Sequence, residues 1–490
     1  MSDNRLDGFS GKPNIILIHA DSWDGRLLGG LPFRGVRTPN ADRLAKQGCC
    51  FTKAYSPSPL CTPARACLAS GQLPHKTEAW NFHQGLSNHA GTFETHLFEN
   101  NYVCRMIGRR DFRGRGRALG GKNSWAYVCS WLRSTSLGTP HIHADLSPYV
   151  QVTPGRDFRN SEFDWPLVDE AVETIRQFGC ESRCKPFYLS VGFIFPHACQ
   201  KPNDYWMDQI NPEDIVLPPI DSEKHPVIEE IKRSRECDKP LTEEFLRRHM
   251  HCYFAKVAET DALVGAILDA VESAGLSEST YIILTSDHGE LNGDHNMVFK
   301  VPFYEGSTRV PLIVSGPGLQ AGSQVNAPAS LIDIFPTIME LGGIAPEDLN
   351  LDGGSLLPEC RGEPTQRPQR AVGIYAANDQ SCNSYMLVEN GWKLIAYSGF
   401  ASQLFNLTED PDELRNLAVD RPDVLRKMTE QLTAIVPCEE VDRKVLAYEK
   451  EAFRTWRKEQ GEATAKAKLS AIYGGWDDTK ERIVAEWSNS

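Results

Sequence analysis

Three short stretches of the chain carry residue types that do chemistry, at spacings that suit it. The first is Cys61-Thr62-Pro63-Ala64-Arg65, followed by a short apolar run and Ser70-Gly71. Pro63 suits the first turn of a helix, where its missing N–H costs nothing, and Gly71 suits the residue just past the helix end. Cys61 then lies at or just before a helix N-terminus, where unpaired N–H groups favour negative charge. Arg65, one turn along the same face, can fork around an anion held at Cys61. This reads as a nucleophile with its anion holder. A buried cysteine beside a surface arginine fits the same spacing, and both readings stand at this point.

The other two stretches close apolar runs. Asn14–Ala20 is a continuous apolar segment ending in Asp21, and Tyr281–Ser286 is another ending in Asp287-His288. A third run, Pro186–Val191, flows out toward His197. Runs of this kind predict strands of a parallel sheet buried on both faces, whose carboxyl ends share one edge. Two carboxylates and an imidazole brought to that edge can hold a divalent cation, with Lys300 and Arg65 neutralising charge that grows during reaction. His197 or His225 could move a proton near neutral pH. Asp21 as a turn residue and either histidine as a satisfied loop residue are the plainer alternatives.

Around these residues the chain predicts helices over about Thr38–Leu44, Thr92–Asn100, Leu167–Phe178, Glu243–Ala274 and Ser330–Leu341, and a strand over Tyr102–Ile107. That strand enters Gly108-Arg109-Arg110-Asp111-Phe112-Arg113-Gly114-Arg115-Gly116-Arg117, where Arg109 is read as an anion or substrate contact and the later arginines as rim residues. Ala258-Glu259-Thr260-Asp261 reads as a packed helix with solvated acids. Residues 201–240 read as a loop region without a core of its own, and 121–165 as an irregular excursion. The Pro/Arg-rich run Gly362–Arg370 suggests a boundary, giving a catalytic domain over 1–368 and a C-terminal subdomain over 369–490. The latter is expected to be a small antiparallel sheet followed by two polar helices.

The totals narrow the function. Across 490 residues, 52 lysines and arginines stand against 65 acids, a net charge of −13, which argues against a general nucleic-acid binder and leaves anionic substrates to local basic patches. No apolar run is long enough to span a membrane. Met1–Asp7 lacks the basic and apolar regions of a secretion signal, which sets a cytoplasmic expectation, or a secreted or periplasmic one if a leader has been removed. The 14 cysteines are scattered and read as reduced thiols.

Cys-x-Pro-x-Arg, with Asp21, Ser286-Asp287-His288-Gly289-Glu290, Lys300 and Arg309-Val310-Pro311-Leu312 in this order, resembles the type I sulfatases. Asn406-Leu407 through Asp410-Pro411-Asp412-Glu413 resembles that family's C-terminal segment. Asp21-Ser22-Trp23-Asp24-Gly25, Glu78-Ala79-Trp80-Asn81 and Trp392-Lys393-Leu394-Ile395-Ala396-Tyr397 are similar to a glucuronate-2-sulfatase branch. The resemblance implies an alkaline-phosphatase-like α/β fold: a mixed, largely parallel sheet sandwiched by helices, with a smaller C-terminal antiparallel sheet plus helices. It implies that Cys61 is the precursor of formylglycine, whose hydrate is the nucleophile, and that conversion needs a formylglycine-generating enzyme. Asp21, Asp287 and His288, together with residue 61, become the metal ligands, with calcium expected and manganese or magnesium as alternatives. Arg65, His197 and Lys300 fall on catalytic positions, and Asn81, Arg109 and His225 on substrate positions. The expected substrate is a small anionic sulfate ester, an aryl sulfate or a sulfated uronate, with no nucleic-acid or membrane partner and with oligomerisation open.

The chain departs from the family in two places. Many members have two adjacent aspartates where this chain has Asp21-Ser22, and Gly-Lys-Trp-His where it has Gly108-Arg109-Arg110-Asp111. The first removes one carboxylate; the second keeps a cation but replaces an imidazole with a carboxylate. The expected activity is sulfate-ester hydrolysis. Phosphonate monoester or phosphodiester hydrolysis by the same nucleophile is the first alternative. A non-catalytic binder of sulfated ligands, with Cys61 left as a thiol, is the second.

Overall fold

The strand β1 (Asn14–Asp21) has no exposed residue, and its alternate side chains enter two different cores. Ile16, Ile18 and Ala20 pack on one face, and Ile15 and Leu17 on the other. That double burial is why the run is continuously apolar. In the computed structural model the described residues are 11–490, except 29, 33, 83, 88–90, 113–130, 138–149, 160, 182–184, 199–200, 220–223, 235–240, 346–348 and 378–379. Arg113, Arg115 and Arg117 of the predicted rim therefore lie outside the described residues, as does most of the 121–165 excursion.

In chain order the remaining strands are β2 (Gly48–Phe51), β3 (Ala54–Tyr55), β4 (Val103–Gly108), β5 (Phe187–Pro196), β6 (Thr280–Ser286), β7 (Arg309–Val310), β8 (Leu312–Ser315), β9 (Ser323–Val325), β10 (Ala329–Ser330), β11 (Arg370–Tyr375), β12 (Ser384–Glu389), β13 (Trp392–Tyr397) and β14 (Phe400–Asn406). Seven form the main sheet in the order β4-β5-β1-β6-β8-β2-β9. The block β4-β5-β1-β6 is parallel throughout, and β8 enters antiparallel to both β6 and β2. A side sheet, β10-β3-β7, and an antiparallel meander, β11-β12-β13-β14, complete the strands.

Helices Pro39–Gln47, Asp164–Glu181 and Glu243–Ser273 contribute to the core on one face of the main sheet. Helices Cys61–Ser70, Phe93–Glu99 and Ile334–Leu341 contribute to the core on the other. The register pairs Ala20 with Ser286, Asp21 with Pro196 and Gly108 with Gly192, so the carboxyl ends of four parallel strands meet at one edge. Residues of odd number on β1 and β6 face the Cys61–Ser70 helix, which directs His19, Asp21 and Asp287 toward it.

Three expectations are corrected. Glu259 and Asp261 are buried, not solvated. Asp261 accepts hydrogen bonds from the N–H groups of Asn40 (3.0 Å) and Ala41 (2.8 Å), capping the start of the 39–47 helix, while Glu259 pairs with Lys256 (2.9 Å) and accepts from the Trp165 indole (3.0 Å). Residues 201–240 contain a helix, Pro226–Ser234, whose Val227, Ile228 and Ile231 are buried. The C-terminal sheet has a further strand, β11, and is followed by four helices, not two: Pro422–Ile435, Cys438–Gln460, Glu462–Ile472 and Asp478–Asn489. A continuous core containing Leu60, Val298, Phe303, Ala371, Met386 and Phe405 crosses the boundary expected at 368/369. The ten cysteines among the described residues are free thiols, and no described helix is long and apolar enough to cross a membrane.

Candidate active site

Cys61 is the first residue of its helix, and Leu60 before it is extended, so the thiol stands at the N-terminal end as the spacing predicts. Gly71 ends the helix in the left-handed region, with φ 67°. Four ligand-type side chains converge there. Asp21, Cys61, Asp287 and His288 are all buried, with donor atoms within 4.8 Å of one another. Cys61 Sγ lies 3.2 Å from His288 Nε2 and 3.8 Å from Asp21 Oδ1. His288 Nε2 is 3.7 Å from Asp21 Oδ1 and 3.6 Å from Asp287 Oδ1. His288 Nδ1 lies 2.9 Å from the Gly289 carbonyl, to which it donates, leaving the Nε2 lone pair facing the cluster. Two carboxylate oxygens, an imidazole nitrogen and the residue-61 side chain fit a divalent cation.

Arg65 does a different job from the one its spacing suggests. Its guanidinium is buried and committed to the carboxylates: Nε donates to Asp287 Oδ2 (2.9 Å), and Nη2 to Asp21 Oδ2 (3.2 Å) and to the Ala20 carbonyl (3.2 Å). Each aspartate is thus gripped by one oxygen while the other faces the cluster. Lys300 takes the position at the thiol, with Nζ 3.0 Å from Cys61 Sγ and 2.8 Å from His288 Nε2. Its backbone is held between two residues with positive φ, Phe299 (72°) and Val301 (128°). Glu290 accepts the Phe299 N–H, and Ser307 Oγ accepts the Val301 N–H (3.1 Å). Strain of this kind persists only where the surroundings over-determine it.

These charges set the ionisation of the cluster. Burial pushes the Asp21 carboxyl up, but Arg109, His197, Arg65 and Lys300 outweigh it and hold the group well below the usual carboxylate range. Burial and the Asp21 charge disfavour the Cys61 thiolate, yet Lys300, His288 and Arg109 carry the thiol well below its ordinary value. Burial raises Asp287 in spite of Arg65.

With this geometry in view, the chain's relatives are informative. Residues 13–344 match the family description Sulfatase, and residues 293–437 match N-sulphoglucosamine sulphohydrolase, C-terminal. The chain belongs to the sulfatase family. It is 33% identical to arylsulfatase K of Bos taurus over 478 residues, covering 92% of this chain and 86% of that one. It is 32% identical to arylsulfatase K of Homo sapiens over 478 residues, covering 92% and 87%. Among solved structures it is similar to a phosphonate monoester hydrolase of Agrobacterium radiobacter, with 25% identity, a TM-score of 0.68 and coverage of 86% and 95%. A putative sulfatase from Bacteroides thetaiotaomicron has 22% identity and a TM-score of 0.69, with coverage of 88% and 94%. The fold is alkaline-phosphatase-like, and the sulfatase is a sulfuric ester hydrolase, which sets aside the reading as a non-catalytic binder.

The sulfatase gathers Asp21, Cys61, Arg65, Arg109, His197, Asp287, His288 and Lys300 at one place. Arg109, just past β4, donates from Nη1 to Asp21 and from Nε to Asp111. It stands against the cluster itself, not at a solvated rim. His197 Nε2 lies 3.9 Å from Asp21 Oδ1 and is partly exposed. The other two predicted substrate residues are placed by different contacts. Asn81 is buried next to Phe82, whose ring centre is 6.0 Å from Lys300 Nζ. His225 stacks on Tyr397 at 4.4 Å and lies 2.8 Å from the Ala401 carbonyl through Nε2, tying it to the C-terminal sheet.

One residue, His19, escaped the sequence reading, and the Ser22 departure acquires partners. His19 Nδ1 accepts from Arg65 Nη1 at 2.6 Å, and its Nε2 lies 3.1 Å from Ser190 Oγ. Burial, then Arg65, holds this imidazole well below its usual pKa, so it is neutral and serves as the acceptor that orients the arginine. Ser22, in place of a second aspartate, donates its N–H to Asp287 Oδ1 (3.2 Å) and its hydroxyl to Asp21 Oδ1 (3.2 Å). A polar residue two positions before Asp21 in an apolar strand was the available signal for His19, because i and i+2 share a face.

Proposed function

We propose that this sulfatase hydrolyses sulfate esters of anionic sugars, with a sulfated uronate as substrate class, after conversion of Cys61 to formylglycine by a formylglycine-generating enzyme. The observation that carries the reading is the setting of residue 61: a helix N-terminus with Lys300, His288 and Asp21 within 4 Å of its side chain. The hydrate of formylglycine supplies a hydroxyl nucleophile for in-line attack on sulfur. Asp21, Asp287, His288 and residue 61 would hold a divalent cation, calcium in the first place, which would supply Lewis-acid polarisation of the ester oxygens.

The chain's own residues do the rest. Arg65 fixes both aspartates so that their inward oxygens keep a constant spacing. Lys300 neutralises charge that accumulates on the nucleophile and the sulfate in the transition state. His197, at the open side of the cluster, hands a proton to the leaving alcohol. Arg109 faces the incoming anion. The names of the arylsulfatase K relatives support sulfate as the leaving anion, and the branch resemblance supports a uronate as its carrier. The likeness to a phosphonate monoester hydrolase favours phosphonate hydrolysis as the second reading, and the ratio of kcat/KM on paired aryl substrates decides between them.

The test is the peptide mass at residue 61 in active enzyme, paired with turnover of Cys61→Ala. An aldehyde mass in the active chain and a loss of at least ~10³-fold in the variant, with unchanged folding, are expected. Near-full activity in Cys61→Ala would sink the formylglycine mechanism.

A further inference from the structure

The donor set around residue 61 changes chemical character with the state of that one side chain. With Cys61 as a thiol, the cluster offers one sulfur, one imidazole nitrogen and the inward oxygens of two carboxylates. Four of the separations between these atoms are 3.2, 3.6, 3.7 and 3.8 Å, and the remaining pairs fall within 4.8 Å. A tetrahedral site with bonds of about 2.0–2.3 Å has edges of about 3.3–3.8 Å, so one ion can reach all four. The same edges would also suit a larger oxygen-coordinated ion, so it is the donor identity that selects the metal.

Calcium takes six to eight ligands, nearly all of them oxygens, and a thiolate is the donor in this set that suits it least. Here each aspartate has its Oδ2 bound by Arg65, so the protein presents one inward oxygen from each. A thiolate, an imidazole and two monodentate carboxylates are instead the donors of a borderline-soft ion with four ligands. His288 is already in the tautomer such an ion needs, with Nδ1 on the Gly289 carbonyl and Nε2 inward. Arg65, Lys300 and Arg109 already match the charge of the two carboxylates and the thiolate, so the ion competes with the Lys300 ammonium for Sγ and Nε2.

We infer that the unconverted chain, with Cys61 as a thiol, binds a thiophilic divalent cation of the zinc class at Asp21, Cys61, Asp287 and His288, and that replacing the thiol by an oxygen donor switches the site to calcium. The metal preference thus reports, and is controlled by, the state of residue 61. This deepens the function proposed above and uses the same residues, but it is a statement about the thiol form and needs no turnover. Binding displaces the Cys61 proton, and the thiolate bonds to the metal with no oxidant or reductant involved. A zinc-capped Cys61 would also be withheld from any later oxidation of the sulfur.

The experiment uses the full chain produced without the converting enzyme, titrated with Co²⁺ as a spectroscopic substitute for zinc. A one-to-one sulfur-to-cobalt charge-transfer band with intense tetrahedral d–d absorption is expected. One equivalent of Zn²⁺ should abolish it, while Ca²⁺ in about hundredfold excess should leave it, given the ligand preferences of the two ions. Cys61→Ser should lose the charge-transfer band while retaining the native circular dichroism. Lys300→Met, which removes the ammonium now lying against Sγ and Nε2, should tighten cobalt binding about tenfold, the effect of deleting a nearby like charge. No charge-transfer band in the folded thiol form, the same band in Cys61→Ser, or displacement of cobalt by equimolar calcium would each overturn the inference. Any of these results would leave the sulfatase activity of the converted chain untouched as a separate question.

Discussion

Two of the buried clusters of carboxylates and cations among the described residues are built inside out relative to each other. At the seam between the main sheet and the C-terminal sheet, Lys393 is buried at the centre, with Nζ 2.8 Å from Glu305 and 2.8 Å from Glu413, and donating to the Phe303 carbonyl at 2.9 Å. At the active site the two arginines stand outside, with Arg65 and Arg109 holding the outer oxygens of the aspartates, while the inner oxygens face His288 and Cys61 and the Lys300 ammonium lies against that pair. The first cluster satisfies itself. The second keeps a carboxylate oxygen of each aspartate turned toward an imidazole and a thiol, and the difference lies in where the carboxylates point. The ionisation cuts across this division, because each cluster pairs a carboxyl held low with one that burial raises, Glu305 with Glu413 in the seam and Asp21 with Asp287 at the site. In the seam, burial raises Glu305, but Lys393 and Arg309 more than reverse it and hold the carboxyl at about 2. At the site, Asp287 remains raised by burial even with Arg65 beside it.

The widest separation between the clusters is expected from one substitution in each. Asp287→Asn should lose the cation and at least ~10³-fold in turnover while the fold is retained, because a neutral isostere relieves a carboxylate that burial already disfavours. Lys393→Met should do the opposite. It strands two carboxylates in a dry seam and should cost about 3–5 kcal/mol of stability, with the folded fraction still turning over. Thermal melts, elemental analysis and active-site titration of both variants check the contrast. An inactive but fully stable Lys393→Met would show that the seam takes part in the chemistry.

Asp164 is a buried carboxylate that lies between these extremes. Both oxygens of Asp164 accept backbone N–H groups of β5, from Ile194 (3.0 Å) and Phe195 (2.9 Å), just before His197, while Lys256 Nζ sits 2.9 Å from the centre of the Phe195 ring. Burial pushes this carboxyl up to about 6 against the pull of those hydrogen bonds. A carboxyl whose folded pKa exceeds its unfolded one binds its proton more tightly in the native state. Its contribution to stability therefore rises as pH falls from about 6 to about 4 and is level outside that window. Relative to Asp164→Asn, the wild type should gain up to ~3 kcal/mol between pH 7 and pH 4. A wild-type advantage that shrinks on acidification would show that the hydrogen bonds outweigh the burial.

Which of these clusters could be read from the sequence follows from what each needs. The candidate ligands end continuous apolar strands, and a parallel sheet brings such ends together whatever the loops do, so the convergence of Asp21, Asp287 and His288 is legible without coordinates. Cys61 and Arg65 were visible through helix-start chemistry, but the actual partners of Arg65 were not, because spacing along a helix is blind to what faces it across a sheet edge. The same blindness turned Asp261 and Glu259 into solvated acids, when their partners, Asn40, Ala41, Lys256 and Trp165, include residues more than ninety or two hundred positions away. Lys393 lay in a strand with no local hint that its charge is buried. Long-range pairing, not propensity, decided every one of these cases.

The smallest effect belongs to Arg109, whose two functions the comparison separates. Like Arg65 it donates to the outer oxygen of Asp21, so part of its role is to hold a ligand. Unlike Arg65 it is 19% exposed, and among the described residues its Nη2 has no acceptor. Asp111, in the left-handed region with φ 42°, takes Nε and fixes the plane of the guanidinium. The free edge of that plane is suited to a second anion, such as a uronate carboxylate, beyond the sulfate that Lys300 and the cation engage. A shielded charge-assisted contact of this kind contributes about 1.5–3 kcal/mol. Arg109→Gln should therefore lower kcat/KM for a sulfated uronate about ten- to a hundredfold more than for a neutral aryl sulfate, because only the first substrate loses the carboxylate contact. Equal losses on both substrates would assign Arg109 to Asp21 and the sulfate alone, making it a second Arg65. No loss on either would place it outside the machinery and return the 108–112 loop to a solvated surface.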